Sequence, residues 1–132
     1  MARAEESELT YLDTHVVMWL HDGLVGRLSE RAKDAVESGV LLVCGMVELE
    51  LQYLREIGRI RPSPQEVLRT LETSIGVERS KQELAAVATM ACSVTWTRDP
   101  FDRLIVAEAR LNHGKLVTRD ELIRDNFPGA VW

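Results

Sequence analysis

The sequence predicts an α/β domain with a central parallel sheet covered by helices on both sides. Three observations carry this. Short apolar, strand-like runs alternate with segments of helical pattern, as in successive βαβ units. One run, Val40-Leu41-Leu42-Val43-Cys44, is apolar throughout, as expected of a strand buried on both faces. The chain has 132 residues, 45% hydrophobic and 28% charged, which suits one globular domain spanning residues 1–132.

The elements follow in order. Leu9–Leu12 is a short strand ending at Asp13. Thr14–Leu20 is a short helix closed by His21-Asp22-Gly23. Ser29 caps a helix over Glu30–Ser38, with Gly39 after its end. Val40–Cys44 is the second strand, and Gly45 turns it into a helix over Met46–Ile57 that ends at Gly58. Ser63-Pro64-Gln65-Glu66 is a capping box with proline at the first helical position, opening Pro64–Thr73. Ser80-Lys81-Gln82-Glu83 has the same form and predicts a helix over Lys81–Ala91, its Leu, Val and Ala positions in the core. Asp99-Pro100-Phe101-Asp102 opens a helix over Pro100–Asn112, followed by Gly114. Lys115–Thr118 is a strand, Asp120–Asn126 a short helix, and Ala130–Trp132 a last edge strand.

In open parallel sheets, ligands collect at the carboxyl ends of the strands. Four carboxylates fall there. Asp13 follows the first strand, and it can equally serve as an N-cap. Stepping about 100° per residue from Met46 places Glu50 at about 40°, among Met46, Val47, Leu49, Tyr53, Leu54 and Ile57. A carboxylate on such a stripe needs a metal or a buried arginine as partner. Glu48, at about 200°, falls on the solvent side. Asp102 stands in the first turn after Asp99, where acids also stabilise a helix start. Asp120 follows Leu116-Val117-Thr118-Arg119 and can cap the next helix. Acids sharing one site repel one another unless a cation is present. An oxygen-only set suits a hard ion, Mg²⁺ or Mn²⁺, which supports phosphoryl-transfer chemistry.

Other chemistries find no footing. The nucleotide-binding glycine motifs, GxSxG and HExxH are all absent. His15, His21 and His113 lack metal-ligand spacing, and Trp19 and Trp96 fit a core or interface better than a stacking platform. Cys44 and Cys92 lie in apolar stretches without a CxxC, which fits a reducing compartment. No run of about 18 apolar residues predicts a membrane span, and MARAEESELT lacks the apolar stretch of a signal peptide. The expected location is cytoplasmic. The 16 basic and 21 acidic residues give a net charge of −5, which argues against binding nucleic acid through a broad basic face. The excess negative charge falls before Val94.

The segments YLDTHVVMWL, MVELELQYLREIGRI and RDPFDRLIVAEARLNHGKLVTRDELI resemble PIN-domain proteins of the VapC toxin type. The resemblance spans Tyr11 to about Phe127, and DPFDRLIVAEA is its most specific piece. It implies a three-layer α/β/α fold, Mg²⁺- or Mn²⁺-dependent endoribonuclease activity, a homodimer, and inhibition by a VapB-type antitoxin whose C-terminal segment reaches the acidic site. Family toxins cut structured RNAs such as tRNA or rRNA and so block translation. By the same resemblance Asp13, Glu50, Asp102 and Asp120 are the catalytic and metal-binding acids. Thr14, Asp99 and Thr118 stand where they support them. Cys44 replaces a frequent serine, so a supporting hydroxyl is lost there.

The expected reaction is metal-assisted hydrolysis of an RNA phosphodiester, with Arg98, Arg103, Arg119 and Arg124 as candidate phosphate contacts. The other readings are a PIN nuclease of RNA maturation, a catalytically silent protein-binding module, and a small Mg²⁺-dependent phosphatase.

Overall fold

The computed structural model describes residues 8–132; the expectation that MARAEESELT is not a signal peptide falls mainly outside them. The chain runs through β1 (Leu9–Leu12), α1 (Thr14–His21), a 3₁₀ turn (Val25–Arg27), α2 (Glu30–Ser38), β2 (Val40–Val43) and α3 (Gly45–Glu56). It continues through α4 (Pro64–Ile75), β3 (Glu78–Arg79), α5 (Leu84–Ala91), α6 (Pro100–Leu111), β4 (Lys115–Val117), α7 (Glu121–Asn126) and β5 (Ala130–Val131).

The five strands form one sheet in the order β3-β2-β1-β4-β5, and every neighbouring pair is parallel. From β1 the chain builds outward through β2 to β3, then crosses back and builds outward again through β4 to β5. The reversal falls between β1 and β4, where Tyr11 pairs with Leu116 and Leu12 with Val117. Beyond the carboxyl ends of two such strands the outgoing connections diverge and leave a crevice. β1 is central, so Tyr11 and Leu12 are buried, with Val16, Val47, Ile105 and Leu116 packed in the same core. Among the described residues no helix is long and apolar enough to cross a membrane.

Local chemistry accounts for most boundaries. The Ser63 hydroxyl caps α4 through the Glu66 amide, with Pro64 at the start. Gly76, at φ 75°, ends that helix in the left-handed conformation that costs glycine little.

Four expectations give way. Ser80 does not open a helix: its amide bonds to Val43 O at 2.9 Å and its hydroxyl to the Tyr11 hydroxyl at 2.9 Å. The segment thereby extends the sheet as the two-residue β3, and α5 begins only at Leu84, after Glu83. In α5 only Val87 and Ala91 are buried, while Leu84 is 71% exposed. α3 is also rotated from its expected setting. It buries Val47 and Leu51 and leaves Leu49, Tyr53 and Ile57 exposed. Glu50 therefore sits on the flank of the core face rather than at its centre. β2 is covered less fully than a two-faced strand, with Val40 exposed and Leu42 half-buried.

Candidate active site

The crevice at the strand reversal holds an acidic cavity of about 420 Å³, lined by Asp13, Glu50, Asp99, Asp102 and Asp120 together with His15, Trp19 and Arg119. Each acid arrives there by a local rule.

Asp13 ends β1 and caps α1: its Oδ1 accepts from the Thr14 amide at 2.8 Å. Its amide donates to Val117 O at 3.1 Å, which ties it to the end of β4. Its Oδ2 accepts from the buried Thr118 hydroxyl at 2.6 Å. Thr118 Oγ1 in turn accepts from the Asp120 amide at 3.1 Å. One hydroxyl thus links the acids that follow the two strands at the reversal. Asp120 caps α7 through Ile123 N at 3.0 Å and still borders the cavity.

Glu50 reaches the cavity from α3. Its Oε1 accepts from the Thr14 hydroxyl at 2.6 Å. Among the described residues it has no arginine partner, so the alternative of a buried salt bridge does not hold. Glu48, on the other side of α3, pairs with Arg79 at 3.1 Å. Asp99 caps α6 through the Phe101 and Asp102 amides. For Asp13, Asp99 and Asp120, capping and facing the cavity coexist.

The electrostatics follow from this crowding. Burial and then the negative charges of Asp13, Asp99, Asp120 and Glu50 push the Asp102 carboxyl up to about 7. Burial also raises Glu50, against the opposing hydrogen bond from Thr14. Asp13 is raised by burial too, opposed by the Thr118 hydroxyl and the Thr14 amide. The donors are all carboxylates, as a hard divalent cation requires. Among the described residues, no three His, Cys, Asp or Glu side chains close around a single point. The match to such an ion is therefore one of donor type and charge.

The basic candidates divide. Arg119 lines the cavity. Arg98 and Arg124 are exposed and do not line it. Arg103 is a correction to the sequence reading: its guanidinium donates to Ala91 O at 3.1 Å, fastening α6 to the end of α5. The sequence reading also passed over two lining residues, His15 and Trp19. The signal was available: two and six residues after Asp13, they follow the first acid into a helix at the crevice. Trp19 is half-buried, with ring centroids 6.3 Å from His15 and 5.9 Å from Trp132. Cys44 stands at the N-cap of α3 without a side-chain capping bond, buried beside Leu104 O. It is not among the residues that line the acidic cavity.

The Thr118 hydroxyl is open to direct measurement. Thr118→Val should cost roughly 1–2 kcal/mol in chemical denaturation, because a buried carboxylate loses its donor. Thr118→Ser should recover most of the loss. Equal stability of the valine variant would show that the bridge contributes nothing.

A parallel sheet reversing at a crevice lined by carboxylates defines a class, the α/β domains with an acidic site at the strand reversal. Residues 10–126 match the family model of the PIN domain. The chain belongs to the PIN-domain family. It is 34% identical over 128 residues to Ribonuclease VapC22 of Mycobacterium tuberculosis (strain ATCC 25618 / H37Rv), covering 92% of this chain and 96% of that protein. Its fold is similar to that of a crystal structure of VapBC2 from Rickettsia felis bound to a DNA fragment from their promoter. The TM-score is 0.62 at 15% identity, covering 92% of this chain and 95% of that one. A DNA-bound VapBC structure from Salmonella typhimurium gives a TM-score of 0.58 at 17% identity, covering 93% of this chain and 95% of that one.

Proposed function

We propose that this chain is a Mg²⁺- or Mn²⁺-dependent endoribonuclease, the toxin of a VapBC-type pair. It blocks translation by cutting tRNA, rRNA or mRNA in the cytoplasm and is neutralised by a VapB-type antitoxin. The observation that carries this reading is the convergence of Asp13, Glu50, Asp102 and Asp120 on one cavity at the strand reversal. The name of the mycobacterial relative supplies the substrate class. The structural neighbours are VapBC complexes, which is in keeping with a VapB-type partner.

A divalent cation held by those acids would stabilise charge on the phosphate oxygens and activate the attacking water. The chain's own groups do the rest. Thr118 and the Thr14 amide fix both oxygens of Asp13. The Thr14 hydroxyl aims Glu50. Arg119, at the cavity wall, receives a phosphate oxygen by a charge-assisted hydrogen bond. Repulsion among the acids keeps RNA from entering without the metal. The exposed Leu49, Tyr53 and Ile57 of α3 and Leu84 of α5 offer an apolar face. Such faces mark protein contacts, which supports both an antitoxin and a homodimer.

The deciding experiment incubates purified protein with total cellular RNA and maps the cut sites, with Mg²⁺ and with a chelator. Discrete metal-dependent cuts support the reading; intact RNA under both conditions defeats it. Cleavage of nucleotide monoesters but not RNA would favour a phosphatase.

Trp19 borders the same cavity. An aromatic face beside the reacting phosphate stacks on a nucleobase, worth about 1–3 kcal/mol. Trp19→Ala should slow RNA cleavage about tenfold or more, whereas Trp19→Phe should retain most of the rate. Equal rates for wild type and alanine variant would return Trp19 to a packing role.

A further inference from the structure

A second cavity, of about 230 Å³, lies against α6 and shares no lining residue with the acidic one. At its wall is Glu108, in the middle of α6 and only 4% exposed. Among the described residues, Glu108 Oε2 has no hydrogen-bond partner. A carboxylate in that position is costly unless something pairs with it. The Tyr11 hydroxyl and the Cys44 thiol lie against its carboxyl and supply no positive charge. The Tyr11 hydroxyl bonds to Ser80 Oγ and accepts from the Asn112 side chain at 2.7 Å. Cys44 is a buried thiol, which burial and then the Glu108 charge push up to about 12. Neither is a cation.

The remaining wall is mostly apolar: Met46 from α3, Leu84 and Val87 from α5, and Leu104 from α6. Gln82 and Leu84 are exposed, so this side of the cavity faces solvent. The cavity is a narrow greasy space with one acid on its wall. Such a space matches a positive head group on an alkyl stem, because the stem covers apolar surface while the head reaches the carboxylate. A bare divalent ion fits less well, since Glu108 is the single carboxylate among the lining residues.

We propose that this cavity binds a slender organic cation, an alkyl-guanidinium or alkylammonium group. Its head pairs with Glu108, and its stem lies along Met46, Leu84, Val87 and Leu104. The group is either a free small cation or the basic side chain of a bound polypeptide, and the chemistry is the same for both.

The test is an amide-resolved NMR titration of the full chain with three probes. They are agmatine, a capped Ala-Arg-Ala peptide, and butylurea as a neutral analogue. Agmatine or the peptide should give saturable shifts at Cys44, Ser80, Leu84 and Glu108, and butylurea none. Glu108→Gln should weaken binding at least about tenfold, since it keeps the shape and removes the charge. Gly45→Leu guards against a misfolded glutamine variant. A Cβ at Gly45 meets nothing within 4 Å, and the residue lines the cavity. The added side chain should narrow the space and likewise weaken binding. Binding of agmatine alone assigns a free cation; binding of the peptide alone, or more tightly, assigns a polypeptide partner. The proposal is overturned if no probe binds, if butylurea binds equally, if shifts centre on Asp13 and Asp102, or if both variants bind undiminished. None of these outcomes bears on RNA cleavage at the acidic cavity.

Discussion

Asp13→Asn should give a folded protein whose RNA cleavage falls at least about a hundredfold, the scale on which preorganised charge-stabilising groups act. Asp13 is the acid most fully built into the scaffold. It is buried, caps α1, and accepts from the Thr118 hydroxyl just past the neighbouring strand at 2.6 Å. Asparagine keeps nearly the same shape and can still accept from the Thr14 amide. What it removes is the negative charge and one of the two carboxylate oxygens. The fold should therefore persist while activity collapses, and a circular dichroism melt beside the cleavage assay separates the two. The metal should bind more weakly as well, visible as a smaller thermal shift on adding Mg²⁺. Undiminished cleavage by the folded variant would remove Asp13 from the chemistry.

Asp102→Asn should abolish cleavage as well, yet it should make the metal-free protein more stable at neutral and alkaline pH. Asp102 is held at about 7 in the fold, against 3.8 for the free side chain. Near pH 3 the group is protonated in both states and costs nothing. As pH rises, the unfolded chain ionises first and gains. Stability falls until the pH passes about 7, and the loss is then complete. The asparagine variant has no such loss. Above pH 8 it should exceed the wild type by roughly 1 kcal/mol, after allowance for solvent screening of a partly open site. That corresponds to about 4 °C in melting temperature for a chain of this size. Near pH 3.5 the two proteins should melt together. Mg²⁺ should stabilise the wild type above pH 7 and have little effect near pH 4, where protons occupy the ligands. A variant less stable than the wild type at pH 8 would show that Asp102 makes a stabilising contact and is not strained by its neighbours.

The parallel sheet and most of the helices and strands were legible because their signals are local; the two-residue β3 and the 3₁₀ turn at Val25–Arg27 were not. Apolar runs, glycines and capping residues mark most boundaries, and Ser63-Pro64-Gln65-Glu66 does what its pattern predicts. Ser80-Lys81-Gln82-Glu83 carries the same pattern and fails, because a hydroxyl that can cap a helix can equally bond to Tyr11 across the sheet. Sequence spacing does not record that competition. The rotation of α3 was hidden for a related reason. Its apolar residues cover two faces, only one of which this chain buries, so periodicity alone could not choose between them. Asp13, Asp102 and Asp120 could be read from their places after strands and at helix starts, and Glu50 from its intrusion on the apolar stripe of α3. Arg103 could not, since its partner is a backbone carbonyl. Glu108 sits among apolar neighbours in α6 and looks like part of a solvated face until its burial is seen.

The bond from Thr118 to Asp13 joins residues 105 positions apart, and the strands that carry them meet at the centre of the sheet. A chain emerging from the ribosome exposes Asp13 early, but nothing holds that side chain in place until β4 has left the tunnel. Contacts of such long range form late. The acidic cavity is therefore a property of the finished chain, and truncation products ending before β4 cannot assemble it. Synthesis itself imposes a delay between the appearance of Asp13 and the closing of the cavity around it.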